Sequence, residues 1–396
     1  MNSIGLSSQL KAIDALLVQY QWLWRPQPFK HVRPEWCVRL PELTARLLAL
    51  SDDELARLTA QESELMALLV EYLPELAAFE ALCQLPVRHL TTLTPISPHL
   101  SWAVPGRKWA QIEAFVQAVG PVTLPVLEWC GGKGHLGRLL ATQWQQPALT
   151  LEHDPALCRD GTLLAQRARV AQQFHVVDVL LPAVPQYLMG CHTVALHACG
   201  ALHRTLVRRA VAARVPAFDI APCCYHLGSD AAYQPFFLTE SLEFFSDDLR
   251  LAVTETVTSS AREVSKRDRE MAWKLGFDRL RRDISGEDHY CSIRPIDKQW
   301  LTFDFAGFCQ ALAQREQLAI AGEIEWSHYE QFGWQRQREV MRLSLVRHAV
   351  RRPLELWLVL DMASYIVKQG YRVELGTFCP RQVTPRNLLL SARLAG

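Results

Sequence analysis

One stretch of this sequence sets a carboxylate, a glycine-rich turn and a helix start in immediate succession: Leu127-Glu128-Trp129-Cys130-Gly131-Gly132-Lys133-Gly134-His135-Leu136-Gly137. Glycines let the backbone approach a ligand closely, and a helix N-terminus favours electron-rich groups. Gly132, Gly134 and Gly137 spell GxGxxG, with Glu152 twenty residues beyond Gly132, a pattern that would also suit a dinucleotide. Glu128 tips the choice toward S-adenosylmethionine. Its charge, directly before the loop, opposes a pyrophosphate but suits a ligand carrying an ammonium and a sulfonium. Glu152, ending Leu149-Thr150-Leu151, is placed for two ribose hydroxyls, with His153 beside it. Asp178, after Phe174–Val177, is placed for an adenine amino group, with Val179 beside it. The candidate cofactor contacts are therefore Glu128, Cys130, Gly131, Gly132, Lys133, Gly134, His135, Leu136, Glu152, His153, Asp178, Val179 and His197. The plainer alternative is a strand–turn–helix whose glycines serve packing alone.

A second constellation, His197, Cys199, Cys223, Cys224 and His226, falls at the ends of the fourth and fifth expected strands. These five are the catalytic candidates. Methyl transfer is an in-line displacement, accelerated by positioning the acceptor against the donor. A hydroxyl acceptor also needs a base, and His226 or His197 could serve. A transient thiol intermediate at Cys223 or Cys224 is chemically possible. The same residue types bind zinc. In an extended segment, however, Cys224 and His226 would converge while Cys223 points away, and there is no CxxC pair, so no metal is expected. Thiols filling a tight core at the sheet's end is the structural alternative.

The elements that would position these groups can be read from the apolar pattern. Val126-Leu127, Ala148–Leu151, Phe174–Val177, Thr193–Leu196 and Ala217–Ile220 are short apolar runs separated by helical stretches, as βα units of a parallel sheet require. Pro125 implies that the first strand is short or begins there. Tyr371–Leu375 alternates, a Cys379-Pro380 to Asn387 loop follows, and Leu388-Leu389-Leu390 completes an antiparallel hairpin. Such a hairpin is the usual ending of the methyltransferase version of this fold. The helix before it runs from Pro353 to a stop at Gly370. Toward the N-terminus, Leu10, Ile13, Leu16, Leu17 and Tyr20 recur at helical spacing, and Ser51-Asp52-Asp53-Glu54 is a capping box. The expected fold is α/β: a doubly wound Rossmann-like sheet ending in a hairpin. Residues 1–105 would form an N-terminal helical domain, and 106–396 a methyltransferase domain with a helical insertion at about 228–340.

Several separated motifs together resemble one family. GGKGHLGRLLA, LEHD, LHACGALH, APCCYH and RPLELWLVLD…GYRVELGTFCPRQVTPRNLLLSARL are similar to methyltransferases that include the glutathione S-transferase C-terminal-domain-containing protein and the methyltransferase-like proteins once named after ribosomal RNA adenine dimethylase. The HxCG and CCxH elements are also similar to tRNA 2′-O-methyltransferases of the acceptor-stem ribose. The resemblance covers roughly residues 106–396. It departs from the common ExGxGxG pattern at Cys130, where a glycine is expected. It implies S-adenosylmethionine binding and methyl transfer, and leaves the substrate open.

Composition bounds the partners. Of 396 residues, 42 are Lys or Arg and 41 Asp or Glu, a net charge of +1 that excludes a strongly basic whole-chain nucleic-acid binder. Local basic segments remain. Residues 262–282, with Asp283 following, carry eight Lys/Arg and five Asp/Glu, and Arg336, Arg338, Arg342, Arg347, Arg351 and Arg352 follow. Trp273, Trp300, Trp326 and Trp334 are interleaved. Such a surface would hold RNA by phosphate contact and stacking, while a solvated helical face is the alternative. Lys108 could touch cofactor or acceptor, or be a surface charge. No apolar run approaches a membrane span, and Lys11 and Asp14 interrupt the N-terminal apolar stretch, which argues against a secretory signal. With eleven scattered cysteines, a reduced, cytoplasmic setting is expected. RNA, tRNA or rRNA, is the favoured acceptor. A protein acceptor, a cofactor-binding interaction module without turnover, and NAD-linked redox chemistry are the alternatives.

Overall fold

The apolar runs pair into one sheet. In the computed structural model, which describes residues 3–102, 104–182, 184–228, 232–238, 240, 242–254 and 260–395, β1 (Val126–Trp129), β2 (Ala148–Glu152), β3 (Gln172–Val176), β4 (His192–Cys199) and β5 (Ala217–Cys223) run parallel. β6 (Tyr371–Thr377) and β7 (Leu388–Leu394) form the closing hairpin, and the order across the sheet is β3-β2-β1-β4-β5-β7-β6. β7 is antiparallel to both its neighbours. β1 starts directly after Pro125, as the missing N–H demands. β1 and β5 are buried at every position, the condition of strands covered on both faces. Strand order reverses between β1 and β4, so the crevice outside their carboxyl ends is where this architecture takes ligands.

Helices Gly106–Val119 and His135–Trp144 share a core with the sheet: Ile112, Phe115 and Val116 from the first and Leu136, Leu139 and Leu140 from the second pack with Val126, Ala148 and Val194. The helix expected from Pro353 begins two residues earlier, at Arg351, and runs to Lys368, with Gly370 at φ 89°. Inside the sheet, Asp219 of β5 is fully buried between His192 of β4, to which it hydrogen-bonds, and Arg393 of β7 at 3.0 Å. His192, Arg393 and Ser391 outweigh burial and hold its carboxyl below the usual range. This charge cluster ties the parallel part of the sheet to the hairpin. The outer edge of β6 is covered by the strand-like segment around Val87, since the Arg88 N–H donates to the Thr377 carbonyl at 2.8 Å.

The chain divides into two compact units, one of residues 1–18, 81–255 and 351–396, the other of 19–80 and 256–350. These do not follow the expected boundaries at 105, 228 and 340. Residues 19–80, expected in a separate N-terminal domain, and 256–350, expected as an insertion, belong to one body, while 1–18 and 81–105 fold with the sheet. The reason lies in the arginines. Arg342 donates to the Leu50 carbonyl at 2.8 Å and pairs with Asp52, Arg347 donates to the Trp24 carbonyl at 2.8 Å, and Arg336 donates to the Pro28 carbonyl at 2.6 Å. The capping box at Ser51 is present, with the Ser51 N–H donating to Glu54 at 2.8 Å and the Glu54 N–H to Ser51 Oγ at 3.2 Å.

The same arginines correct the expected basic surface. Arg336, Arg342 and Arg351 are buried, Arg352 pairs with Glu355, and Arg281 and Arg282 flank Asp278. Trp273 is buried and donates to Glu330 at 3.0 Å, while Trp300, Trp326 and Trp334 pack on the core of the second unit. Structural pairing and burial thus occupy these arginines and tryptophans, while Arg262, Lys266, Arg269 and Arg338 stay exposed. No helix among the described residues is long and apolar enough to cross a membrane.

Candidate functional site

The glycine loop is held from below by a buried polar network. Glu128, at the heart of β1, accepts from Thr150 Oγ1 at 2.9 Å and from the backbone N–H groups of Leu136 and Gly137. Gln172 of β3 donates to Thr150 Oγ1 at 2.9 Å and to the Gly134 carbonyl at 2.8 Å, and its Oε1 accepts from Arg138. Burial pushes the Glu128 carboxyl up to about 7, opposed by Thr150 and those N–H groups. Glu152 also reaches the loop. Its Oε2 accepts from the Gly132 N–H at 2.9 Å, and its Oε1 from the N–H groups of His153 and Asp154. Gly132 and Gly134 have left-handed φ of 58° and 67°, and Cys130 adopts 55° without being glycine. A Cβ on Gly134 would stand 2.3 Å from Gln172 Nε2, whereas one on Gly132 would meet nothing within 4 Å. Gly132 thus faces open space, and Gly134 is needed for packing.

Above the loop lies a crevice of about 240 Å³ lined by Glu128, Trp129, Cys130, Gly131, Gly132, His135, Leu136, Glu152, Leu196 and His197, with Lys108, Gln111 and Ile112 from the helix Gly106–Val119. His197 is presented by a bulge. Leu196 pairs with Ala221 but Cys199 with Cys223, so two residues of β4 oppose one of β5, and His197 takes φ 67°. Gln111 Nε2 donates to the Val383 carbonyl at 2.9 Å, which turns Gln111 Oε1 toward His197 Nε2 at 2.9 Å. Nε2 of His197 therefore carries the hydrogen, and its Nδ1 is an acceptor. His135 holds the same tautomer, fixed from its other nitrogen. Arg138 donates to its Nδ1 at 2.9 Å, so Nε2 is the donor, and burial, followed by the charges of Arg138, Lys108 and Lys133, holds the imidazole down at about 4.

The other sequence candidates lie elsewhere. Lys133 pairs with Asp160 at 2.8 Å, and His153 is exposed and pairs with Glu152. Asp178 is exposed and accepts from the Leu180 N–H; Val179 is buried, and its carbonyl accepts from Arg209. Asp178 stays close enough to the loop to help raise the Cys130 thiol, which burial pushes up to about 12. Cys199, Cys223 and Cys224 form a separate cluster, their Sγ atoms all within 4.8 Å of one another, and neither they nor His226 line the crevice. Gln111, Ile112, Trp129, Leu196 and the supporting Thr150, Gln172 and Arg138 were not picked out from sequence. The helical spacing of Lys108, Gln111 and Ile112 was the available signal, since it puts them on one face.

Residues 107–230 match the methyltransferase-domain family. That span takes in β1 to β5, the glycine loop and all the residues lining the crevice. The match supports methyl transfer as the chemistry of the unit that holds the sheet, and the mixed α/β sheet of seven strands agrees with it. No curated protein matches the chain.

Proposed function

We propose that this protein transfers a methyl group from S-adenosylmethionine bound in the crevice over Gly131 and Gly132. The carrying observation is the state of the donors that would otherwise hold a phosphate. The Gly132 N–H is taken by Glu152, and the Leu136 and Gly137 N–H groups at the helix start are taken by Glu128. A diphosphate would find two internal carboxylates where a dinucleotide site offers free N–H groups. A cationic sulfonium nucleoside finds compensating charge. Glu152 keeps acceptor capacity for ribose hydroxyls, a carboxylate offering about four lone-pair sites, and the uncrowded Gly132 leaves room for the nucleoside. The cofactor, when bound, supplies an electrophilic methyl carbon.

The chain's own residues do the rest. Glu128 and Gln172 set the loop, Trp129 and Leu196 give apolar walls that exclude water, and Gln111 fixes the His197 tautomer. His197 Nδ1 then receives the proton of an oxygen or nitrogen acceptor. We take that acceptor to be RNA. Exposed Trp102, edge-on to His99, precedes the helix that brings exposed Lys108 to the crevice, a stacking platform and a phosphate contact in one segment. A protein acceptor is the second reading, favoured by the internal pairing of the arginines in 262–352 described above. Equilibrium dialysis with labelled S-adenosylmethionine tests the cofactor: binding should survive excess NAD and be abolished by Glu152→Ala, whereas competition by NAD would overturn it. Labelling of a cell lysate, with the product split by nuclease and protease, decides the acceptor.

A further inference from the structure

Methyl transfer leaves the thiols of Cys199, Cys223 and Cys224 without a role. Their three Sγ atoms meet at one point, with Cys199 and Cys223 3.3 Å apart, and all three are free thiols. Alternation along a strand would keep Cys223 and Cys224 on opposite faces. Two backbone irregularities defeat that alternation. β5 ends at Cys223, and Cys224 turns into the left-handed region at φ 46°; the bulge at residues 197 and 198 brings Cys199 into register with Cys223. Left-handed backbone at a non-glycine residue persists only where its surroundings impose it. Thiols are weak hydrogen-bonding partners, so three of them gain little from each other's company. As thiolates they are a soft donor set of the kind that selects zinc. Two residues past Cys224, Nδ1 of His226 is buried with no hydrogen-bond partner.

We propose that Cys199, Cys223 and Cys224 form a zinc site that clasps the ends of β4 and β5 behind His197, with His226, whose ring lies outside the 4.8 Å sulfur cluster, turning in as the fourth ligand. The expectation of no metal, drawn from strand alternation, is thereby reversed by the geometry of residue 224. The site is closed and structural in type, three sulfurs and one nitrogen around a tetrahedral ion. Cys199 closes the bulge two residues after His197, so an ion fixing Cys199 would also steady the backbone that aims His197. The zinc assignment does not depend on the cofactor reading.

The test uses the full chain, purified with a reductant and without chelator. Mass spectrometry of the metal content should find about one zinc per chain. After chelation, Co²⁺ added to the stripped chain should give the thiolate-to-cobalt charge-transfer absorption, displaced by Zn²⁺. Cys224→Ser should weaken binding by more than about 100-fold, beyond the usual effect of an outer partner, and His226→Asn by about 10-fold or more. Cys309→Ser, a buried cysteine of the other unit, should leave binding unchanged. Should Cys224→Ser fail to fold, alkylation of the stripped wild-type chain answers alone, because zinc must slow modification of these three thiols and spare that of Cys130. Absent charge-transfer absorption, equal alkylation with and without zinc, or undiminished binding in Cys224→Ser would each overturn the proposal.

Discussion

At His197 a bulge, a left-handed backbone and a hydrogen bond to Gln111 converge on one imidazole, and each acts on a different property. The bulge aims the ring into the crevice, and Gln111 leaves Nδ1 as the acceptor. Replacing His197 with Gln removes the proton acceptor while keeping a polar side chain of similar reach. The expected result is a kcat lowered about 10²- to 10⁴-fold with the KM for S-adenosylmethionine little changed. A steady-state comparison of the two constants checks it, and a loss confined to KM would make His197 a binding residue only. A different histidine governs behaviour in acid. His203 is buried, its Nδ1 donates to the Ala198 carbonyl at 2.9 Å, and burial pulls its pKa from 6.5 to about 4. The unfolded chain therefore takes up a proton near pH 6.5 that the folded chain refuses until about pH 4. The folded state keeps its full stability from this group above 6.5 and loses on the order of 3 kcal/mol of it as the pH falls to 4. Urea midpoints measured across that window should decline, and decline less in His203→Asn, whose amide can retain the bond to Ala198.

The glycine loop makes a sharper prediction as an element than any of its residues does alone. Gly132 and Gly134 share a left-handed backbone, so alanine at either costs about 1–2 kcal/mol from conformation. Their surroundings then separate them. At Gly134 the added Cβ would stand 2.3 Å from Gln172 Nε2 and 2.5 Å from the Phe174 ring, so Gly134→Ala should be markedly less stable than Gly132→Ala in thermal melts. At Gly132 the Cβ enters the ligand space, so Gly132→Ala should stay folded yet lose cofactor affinity in dialysis. Equal stability with equal affinity in the two variants would contradict this division of labour. The loop, the strands, the hairpin and the capping box at Ser51 were legible in sequence because each follows a local rule of spacing or backbone chemistry. What escaped reading depends on contacts far apart in the chain. Gln172 lies under the loop from β3, Gln111 faces His197 across 86 residues, and the convergence of Cys223 with Cys224 depends on one left-handed residue. Helical arginines that look solvated in sequence, such as Arg336 and Arg342, are buried because carbonyls some 300 residues earlier accept from them.

Those long-range arginine bonds join the two chain segments of the second unit. Residues 19–80 lie within the stretch 1–105 that reads in sequence as a separate helical domain, and they bury Trp24, Trp36, Leu43 and Leu47. Their ends are closed by other parts of the same unit: Trp24, Pro28 and Leu50 offer carbonyls to Arg347, Arg336 and Arg342. Removing the donors leaves backbone acceptors exposed to water and strips the apolar face that these helices share with residues 326–343. Small single-segment cores are already marginal, because a short chain buries a smaller share of its surface. A fragment of residues 1–105 should therefore lack a cooperative thermal transition by circular dichroism, although its capping box and helical periodicity predict local helix. Co-expression of 19–80 with 256–350 should restore one, since together they hold the donors and the acceptors. A sharp, reversible melt of the 1–105 fragment alone would mean that the N-terminal helices stand by themselves, and that the arginines decorate a body already folded.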